Sequence, residues 1–173
     1  SIAINYELDT RERLYESVAG WYALLEWERA GYGLGGEFEF DRYWCIAQRL
    51  QPLTSLQYLN IRLVGGVANG KPPLQKHFSI GGIGTLRGYG YKQFTGDRML
   101  LLNIEYVVEF SNEISGIAFF DAGKSAYGKD AFNDEDFHSD IGLAVKVWRF
   151  LRVNFAKPID TPDDDLRVTM RVS

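Results

Sequence analysis

Apolar and polar residues alternate along most of the chain, and this period of two predicts β-strands. The segment 99–110 is the clearest case, because every second residue from Leu100 onward is apolar while Asn103 and Glu105 lie between them. No segment has a convincing helical period, and the best one, residues 10–17, is short. Alternation predicts about nine strands, at residues 2–9, 16–29, 34–49, 54–65, 99–110, 114–123, 138–148, 150–157 and 165–172.

The lengths of these strands and of their connections favour a transmembrane β-barrel. Many strands have 9–11 residues or more, which is the length that a tilted strand needs to cross a bilayer. From residue 50 onward short connections (50–53, 111–113 and 149) alternate with long ones (66–98, 124–137 and 159–164), as in barrels with turns at one end and loops at the other. The short link 30–33 is the exception, since it falls at the long-loop end. Aromatic residues gather near the strand ends, as in interfacial girdles: Trp21, Trp27, Tyr43, Trp44, Trp148 and Phe150.

A soluble antiparallel barrel or sandwich, such as a lipocalin, is the alternative, because a soluble sheet with one buried face also alternates. Charged residues on the polar face of nearly every strand, together with many aromatics on the apolar face, favour the membrane barrel. The connection lengths are also less even than a sandwich of this size predicts.

Composition excludes several classes of protein. The chain has 173 residues, enough for one domain, and its net charge of −4 argues against a broad nucleic-acid footprint. No run of about 18 apolar residues predicts a transmembrane helix. The single cysteine, Cys45, cannot form an internal disulfide and leaves the redox compartment open. The first residues do not resemble a signal peptide, so we expect any export signal to lie upstream.

The glycine-rich segment 81–91, which reads Gly-Gly-Ile-Gly-Thr-Leu-Arg-Gly-Tyr-Gly-Tyr, carries the candidate site. Glycine permits positive φ and close backbone approach, so this segment predicts a compact loop that directs Arg87 toward a carboxylate. Glu105 and Asp121 are the candidate partners. Alternation places Glu105 on the polar face, but the strand 114–123 is apolar on both faces and does not orient Asp121. The loop glycines are Gly81, Gly82, Gly84, Gly88 and Gly90.

Other chemistry finds little support in the sequence. A phosphate cradle needs a helix after the glycines, and a strand follows instead. Asp160 with residues 163–165 lacks the ligand spacing of a calcium loop, and His77 and His138 have no metal spacing. No Gly-x-Ser-x-Gly elbow is present, so we expect neither catalysis nor a cofactor.

A set of motifs follows in a fixed order along residues 36–173: Gly81-Gly82, Arg87-Gly88-Tyr89, Gly96-Asp97-Arg98, Ile104-Glu105-Tyr106, Phe119-Phe120-Asp121-Ala122-Gly123, Gly142, and Val153-Asn154-Phe155-Ala156-Lys157-Pro158. In order and spacing they resemble the C-terminal half of the BamA, TamA and Toc-type outer-membrane barrels, the bacterial surface antigen family. The resemblance implies a 16-stranded outer-membrane barrel in which the Arg87-Gly88-Tyr89 loop folds into the lumen and Arg87 pairs with Glu105 and Asp121.

The function implied by this resemblance is the assembly, insertion or translocation of outer-membrane proteins, without enzymatic chemistry. The expected partners are membrane lipids, unfolded clients or a secreted passenger, and accessory assembly subunits. No POTRA domain precedes the barrel and about seven strands are missing, so we expect an N-terminally truncated barrel. The family's last strand commonly ends in an aromatic residue, whereas this chain ends at Val172-Ser173. A barrel that anchors a fused N-terminal enzyme, such as a patatin-type lipase, or a passive pore remains the alternative.

Overall fold

The computed structural model describes residues 1–14, 17–31, 33, 38–133, 137–148, 150–161 and 163–172. Its only helix in this part of the chain is a short 3-10 turn, Leu74–Lys76. The strands are β1 (Ile2–Asp9), β2 (Glu12–Leu14), β3 (Ser17–Ala30), β4 (Phe40–Pro52), β5 (Gln57–Gly70), β6 (Phe78–Ile80), β7 (Phe94–Gly96), β8 (Arg98–Glu109), β9 (Ile114–Ala126), β10 (His138–Val147), β11 (Leu151–Pro158) and β12 (Arg167–Val172).

Nine of these strands form one continuous antiparallel sheet in the order β1-β3-β4-β5-β8-β9-β10-β11-β12. The short strand β2 pairs with β3, and β6 and β7 form a separate hairpin. The predicted all-β antiparallel fold of about nine strands is confirmed. The sheet does not close on itself, because β1 and β12 lie at its two edges. Within the described residues, no helix is long and apolar enough to span a membrane.

The two faces of the sheet differ in polarity, as alternation requires. One face, here called the inner face, packs against the segment 71–97 and carries a polar row in which Arg62, Asn103, Asp121 and Asp140 lie opposite one another on successive strands. The outer face presents apolar side chains that no other element among the described residues covers; Leu143, for example, is 65% exposed. Such a face is stable when lipid covers it.

Several strand boundaries differ from the prediction. The strand predicted at 34–49 is β4, Phe40–Pro52, and its predicted start at 34–37 lies outside the described residues. The strand predicted at 54–65 extends to Gly70, so the long loop begins at 71 rather than 66. Gly66 lies within β5, and the ring of Phe78 occupies the space where a side chain at this position would lie.

The connections between the strands are short and long in turn. The long ones include 71–97 and the short ones include 53–56 and 110–113. The link predicted at 30–33 lies between β3, which ends at Ala30, and β4, which begins at Phe40, and it falls partly outside the described residues. The predicted turn residue 149 and residue 16, the predicted start of β3, lie outside the described residues.

Candidate functional site

The segment 71–97 lies against the inner face and is held there by an apolar cluster. The β6–β7 hairpin pairs Phe78 with Gly96 and Ile80 with Phe94, which folds the segment back on itself. Ile80 and Leu86 are fully buried. This burial anchors the loop to the sheet through non-directional apolar contact. The cluster joins Phe78, Ile80, Leu86 and Tyr89 of the loop to Val64, Ala68, Met99 and Leu101 of the sheet.

Glycines shape the tip of this loop in two ways. Gly81, Gly82 and Gly84 have φ of 115°, 89° and 89°, a region that side chains with a Cβ rarely adopt. Gly88 instead permits close approach, because a Cβ added there would stand 2.8 Å from the Cβ of Asp140. Gly90 has no positive φ and no close backbone neighbour, since an added Cβ would approach only the end of the Gln93 side chain, at 3.2 Å.

The guanidinium of Arg87 is enclosed by two carboxylates and one aromatic ring. Its Nε and Nη2 donate to the two oxygens of Asp121 at 2.7 and 2.6 Å, and its Nη1 donates to Glu105 Oε1 at 2.5 Å. The Arg87 side chain is only 5% exposed, and its guanidinium carbon lies 3.6 Å from the centre of the Phe119 ring. A two-pronged pair of this kind fixes the orientation of the side chain as well as its position.

Further polar side chains donate hydrogen bonds to the two carboxylates. Glu105 also accepts hydrogen bonds from Arg152 Nη2 at 2.8 Å and from Asn60 Nδ2 at 3.1 Å. Asn103 Nδ2 donates to Asp121 Oδ1 at 2.8 Å and to the Thr85 carbonyl at 2.9 Å. The network therefore connects the loop to β5, β8, β9 and β11. The sequence analysis did not single out Asn103 or Arg152, although both lie on polar faces.

Tyr89 forms a second attachment of the loop, near the start of β10. Its hydroxyl donates to the Ser139 carbonyl at 3.2 Å and to the Asp160 carboxylate. His138 Nδ1 lies 2.9 Å from the other oxygen of Asp160, and the His138 ring stacks on Phe94 with centres 3.7 Å apart. The sequence analysis assigned no role to His138 or Asp160. Their separation along the chain left no local signal that they meet.

The acid–base behaviour of this attachment follows from its contacts. Partial burial of Asp160 disfavours its ionised form, but the hydrogen bonds from Tyr89, His138 and the Ser139 amide outweigh burial and lower the pKa of Asp160. Burial, followed by the neighbouring Asp160, raises the pKa of the Tyr89 hydroxyl. Tyr89 therefore remains a neutral donor to an ionised Asp160 at physiological pH.

The other candidates from the sequence lie elsewhere. His77 Nδ1 is 3.2 Å from the Tyr127 hydroxyl, and Asp163 and Asp165 are exposed. Across the part of the chain that the structure describes, no group of three or more His, Cys, Asp or Glu could hold a metal ion. A cavity of about 210 Å³ lies beside Arg87, between Arg62 and Arg152.

Comparison with solved structures finds the same fold. The chain is similar to the crystal structure of BamA from Haemophilus ducreyi lacking POTRA domains 1–3, with a TM-score of 0.85 over 98% of this chain and 41% of that one. Sequence identity in this alignment is 16%, so the likeness concerns the fold alone.

Comparison of sequences reaches the same group of proteins. The chain is 29% identical over 160 residues to the outer membrane protein assembly factor BamA of Nitratidesulfovibrio vulgaris. The match covers 79% of this chain and 20% of that relative, so the chain spans about a fifth of its length. The family model of the Omp85 superfamily domain matches residues 1–172. This match spans every strand of the sheet described above, and the chain therefore belongs to the Omp85 superfamily.

Proposed function

We propose that residues 1–173 are the C-terminal part of an outer-membrane β-barrel that inserts or translocates other proteins without covalent chemistry. The observation that carries the proposal is the Arg87 loop, which is docked on the inner face by Glu105 and Asp121 in a chain of the Omp85 superfamily. The outer membrane supplies the lipid that covers the exposed apolar face. The similarity to BamA, an outer membrane protein assembly factor, favours protein clients and accessory assembly subunits as partners.

The topology of the sheet supports a larger barrel. Eight antiparallel pairings separate β1 from β12, so these two edge strands run in the same direction and cannot pair with each other in an antiparallel barrel. Unpaired edges exposed to lipid are untenable. Further strands of the same barrel therefore lie between β1 and β12, and a seam forms where they meet β12.

Strand β12 offers the means of accepting a client. It is the last strand of the sheet, and its backbone groups on one side have no partner among the described residues. An edge of this kind adds an incoming strand through backbone hydrogen bonds. Val168 and Met170 of β12 are exposed on the outer face, so an added strand with the same alternation continues the lipid-facing surface.

The docked loop keeps strands β8–β12, which lie next to this seam, in a fixed arrangement. Arg87 connects β8 and β9, Glu105 connects Arg87 to Arg152 on β11, and Arg167 of β12 donates to the Gly88 carbonyl at 3.3 Å. Removing one member of a buried ion pair leaves an uncompensated charge, which costs about 3–5 kcal/mol. The loop thus stabilises β8–β12 while a client strand is added at the edge.

Site-specific photo-crosslinking in the complete protein tests this function. A crosslinking residue in place of Thr169 on β12 should capture newly made outer-membrane proteins in cells, whereas one in place of Ile104 in the middle of the sheet should not. Depletion of the protein should also lower the amount of folded outer-membrane proteins. Capture of only the protein's own N-terminal part would instead support a barrel that exports a fused enzyme. Absence of any capture, with normal outer-membrane protein levels after depletion, would refute both and leave a passive pore.

A further inference from the structure

Asp140 is a fully buried carboxyl group that lies beside the Arg87 site but takes no part in its ion pairs. It is 0% exposed and stands directly opposite Asp121 in the β9–β10 pairing. Neither of its oxygens has a hydrogen-bond partner of good geometry among the described residues, although the Gly88 amide approaches the carboxyl group. Buried polar groups normally have such a partner, so this one needs a physical explanation.

The cations nearest to Asp140 are already balanced by other acids. Arg87 is paired with Asp121 and Glu105, and Arg152 is paired with the same Glu105. The positive charges of the two arginines are therefore balanced by the two carboxylates of Asp121 and Glu105. Asp140, if ionised, adds a surplus negative charge next to Asp121.

The remaining charged groups around Asp140 do not compensate it either. Arg62 lies three strand spacings away along the polar row, about 14 Å at the usual spacing of strands. Arg167 of β12 donates to the Gly88 carbonyl. His138 Nδ1 and the Tyr89 hydroxyl both contact Asp160. From β11 the residue opposite Asp140 is Pro158, which carries no charge.

We propose that Asp140 and Asp121 form a proton-binding site, in which the protonated carboxyl of Asp140 donates a hydrogen bond to the Asp121 carboxylate. Two adjoining carboxyl groups cannot both be ionised in a site that excludes water, and protonating one of them is less costly than burying an unpaired charge. Asp121 is the acceptor in this pair, because both of its oxygens already accept from Arg87. The proton then satisfies one oxygen of Asp140.

The docked loop covers the Asp121–Asp140 pair on the lumen side. A Cβ on Gly88 would contact the Cβ of Asp140, so the loop backbone lies directly against the carboxyl group and shields it from water. When the loop is displaced, Asp140 faces the lumen and titrates as an ordinary aspartate, at about pH 3.9. Docking therefore takes up one proton at neutral pH. Between about pH 3.9 and the pH at which the docked pair loses its proton, the docking equilibrium therefore weakens by up to about tenfold for each pH unit, and at higher pH it no longer depends on this proton.

Infrared difference spectroscopy of the complete protein in detergent tests the proton directly. The wild-type protein at neutral pH should show the carbonyl stretch of a protonated carboxylic acid, and this band should disappear as pH rises. Asp140→Asn should abolish the band, and Asp140→Glu should shift it. Asp165→Asn, in an exposed loop, should leave it unchanged. A wild-type protein without such a band at neutral pH would overturn the proposal, even if Asp140→Asn failed to fold.

A second measurement links the proton to the loop. Trypsin cleavage after Arg87 reports displacement of the loop, because the docked arginine is buried. In the wild-type protein cleavage should accelerate with rising pH beyond the change in trypsin's own activity, which the Asp165→Asn variant controls. In Asp140→Asn the extra acceleration should be lost. If the rate of trypsin cleavage depended on pH in the same way in Asp140→Asn as in Asp165→Asn, the linkage between the proton and the loop would be refuted, whatever the protein's activity toward clients.

Discussion

Gly88 approaches β10 and β11 so closely that a Cβ built on it would stand 2.8 Å from the Cβ of Asp140 on β10 and 3.1 Å from the backbone nitrogen of Pro158 on β11. Both atoms belong to or lie next to the backbone of the sheet, so neither can move aside easily. Glycine at this position is therefore a condition for Arg87 to reach Asp121.

We expect Gly88→Ala to displace the loop and destabilise the barrel by about 1–3 kcal/mol, the usual cost of overpacking a closely packed site. Gly90→Ala is the matched control, because its added Cβ meets only the end of the Gln93 side chain and its φ is not positive. Urea unfolding of the complete protein in micelles measures the free energy of unfolding of both variants. Equal free energies of unfolding for the two variants would show that the approach to β10 carries no constraint.

Arg87→Ala should lower the free energy of unfolding by about 3–5 kcal/mol, since it leaves the buried Asp121 carboxylate without its cation. Lys92→Ala, in the same loop, should change it by less than about 0.5 kcal/mol, because Lys92 is exposed. Its Nζ lies 5.4 Å from the centre of the Tyr91 ring and makes no described ion pair.

A double-mutant cycle separates the ion pair from general damage to the loop. Arg87→Ala combined with Asp121→Ala should destabilise the protein much less than the sum of the two single changes, because the second change removes the charge that the first left unpaired. Additive losses would mean that the two side chains do not interact in the folded barrel.

The sequence was sufficient to predict the sheet because lipid on one side and a polar lumen on the other impose a strict period of two. The same periodicity oriented Glu105 but not Asp121, whose strand is apolar on both faces. In the structure Asp121 lies in one row with Asn103 and Asp140, and this placement depends on the register of three strands. Register is a property of paired strands, so the pattern of a single strand did not contain it.

Long-range contacts of the loop were beyond the sequence analysis for a related reason. Tyr89 meets Asp160 across 71 positions of the chain, and Phe94 stacks on His138. No local pattern marks such meetings, because they depend on how deeply the loop inserts. Apolar contacts such as the one between Gly66 and Phe78 contribute to that depth.

Attachment of the loop through Tyr89 should weaken in acid. The pKa of Asp160 is lowered in the folded protein, so its contribution to stability is fully present above its unfolded value of about 3.9 and is lost as pH falls through the folded value. The thermal midpoint of the complete protein should therefore drop as pH falls below about 4. Asp160→Asn should reduce this drop, whereas Asp165→Asn should retain it. A drop of the same size in both variants would assign the acid sensitivity to other groups.

Two adjacent glycines of β5 offer a test of the apolar part of the docking. Gly66 faces the inner side, where an added Cβ would stand 2.7 Å from the ring of Phe78. Gly65 faces the outer side, where the nearest atom is the Cys45 sulfur at 3.0 Å, at the end of a side chain that can rotate away. Because the two residues share one strand, alanine at either position changes strand propensity almost equally.

Gly66→Ala should therefore push Phe78 off the sheet and disturb its stacking on Trp44, whose ring centre lies 5.4 Å away. We expect a loss of about 1–3 kcal/mol in the free energy of unfolding and faster trypsin cleavage after Arg87, as overpacking predicts. Gly65→Ala should leave the cleavage rate near that of the wild type, because its added methyl group points to lipid. Faster cleavage in Gly65→Ala than in Gly66→Ala would reverse the assignment of the two faces of β5, and with it the placement of the Arg87 loop in the lumen.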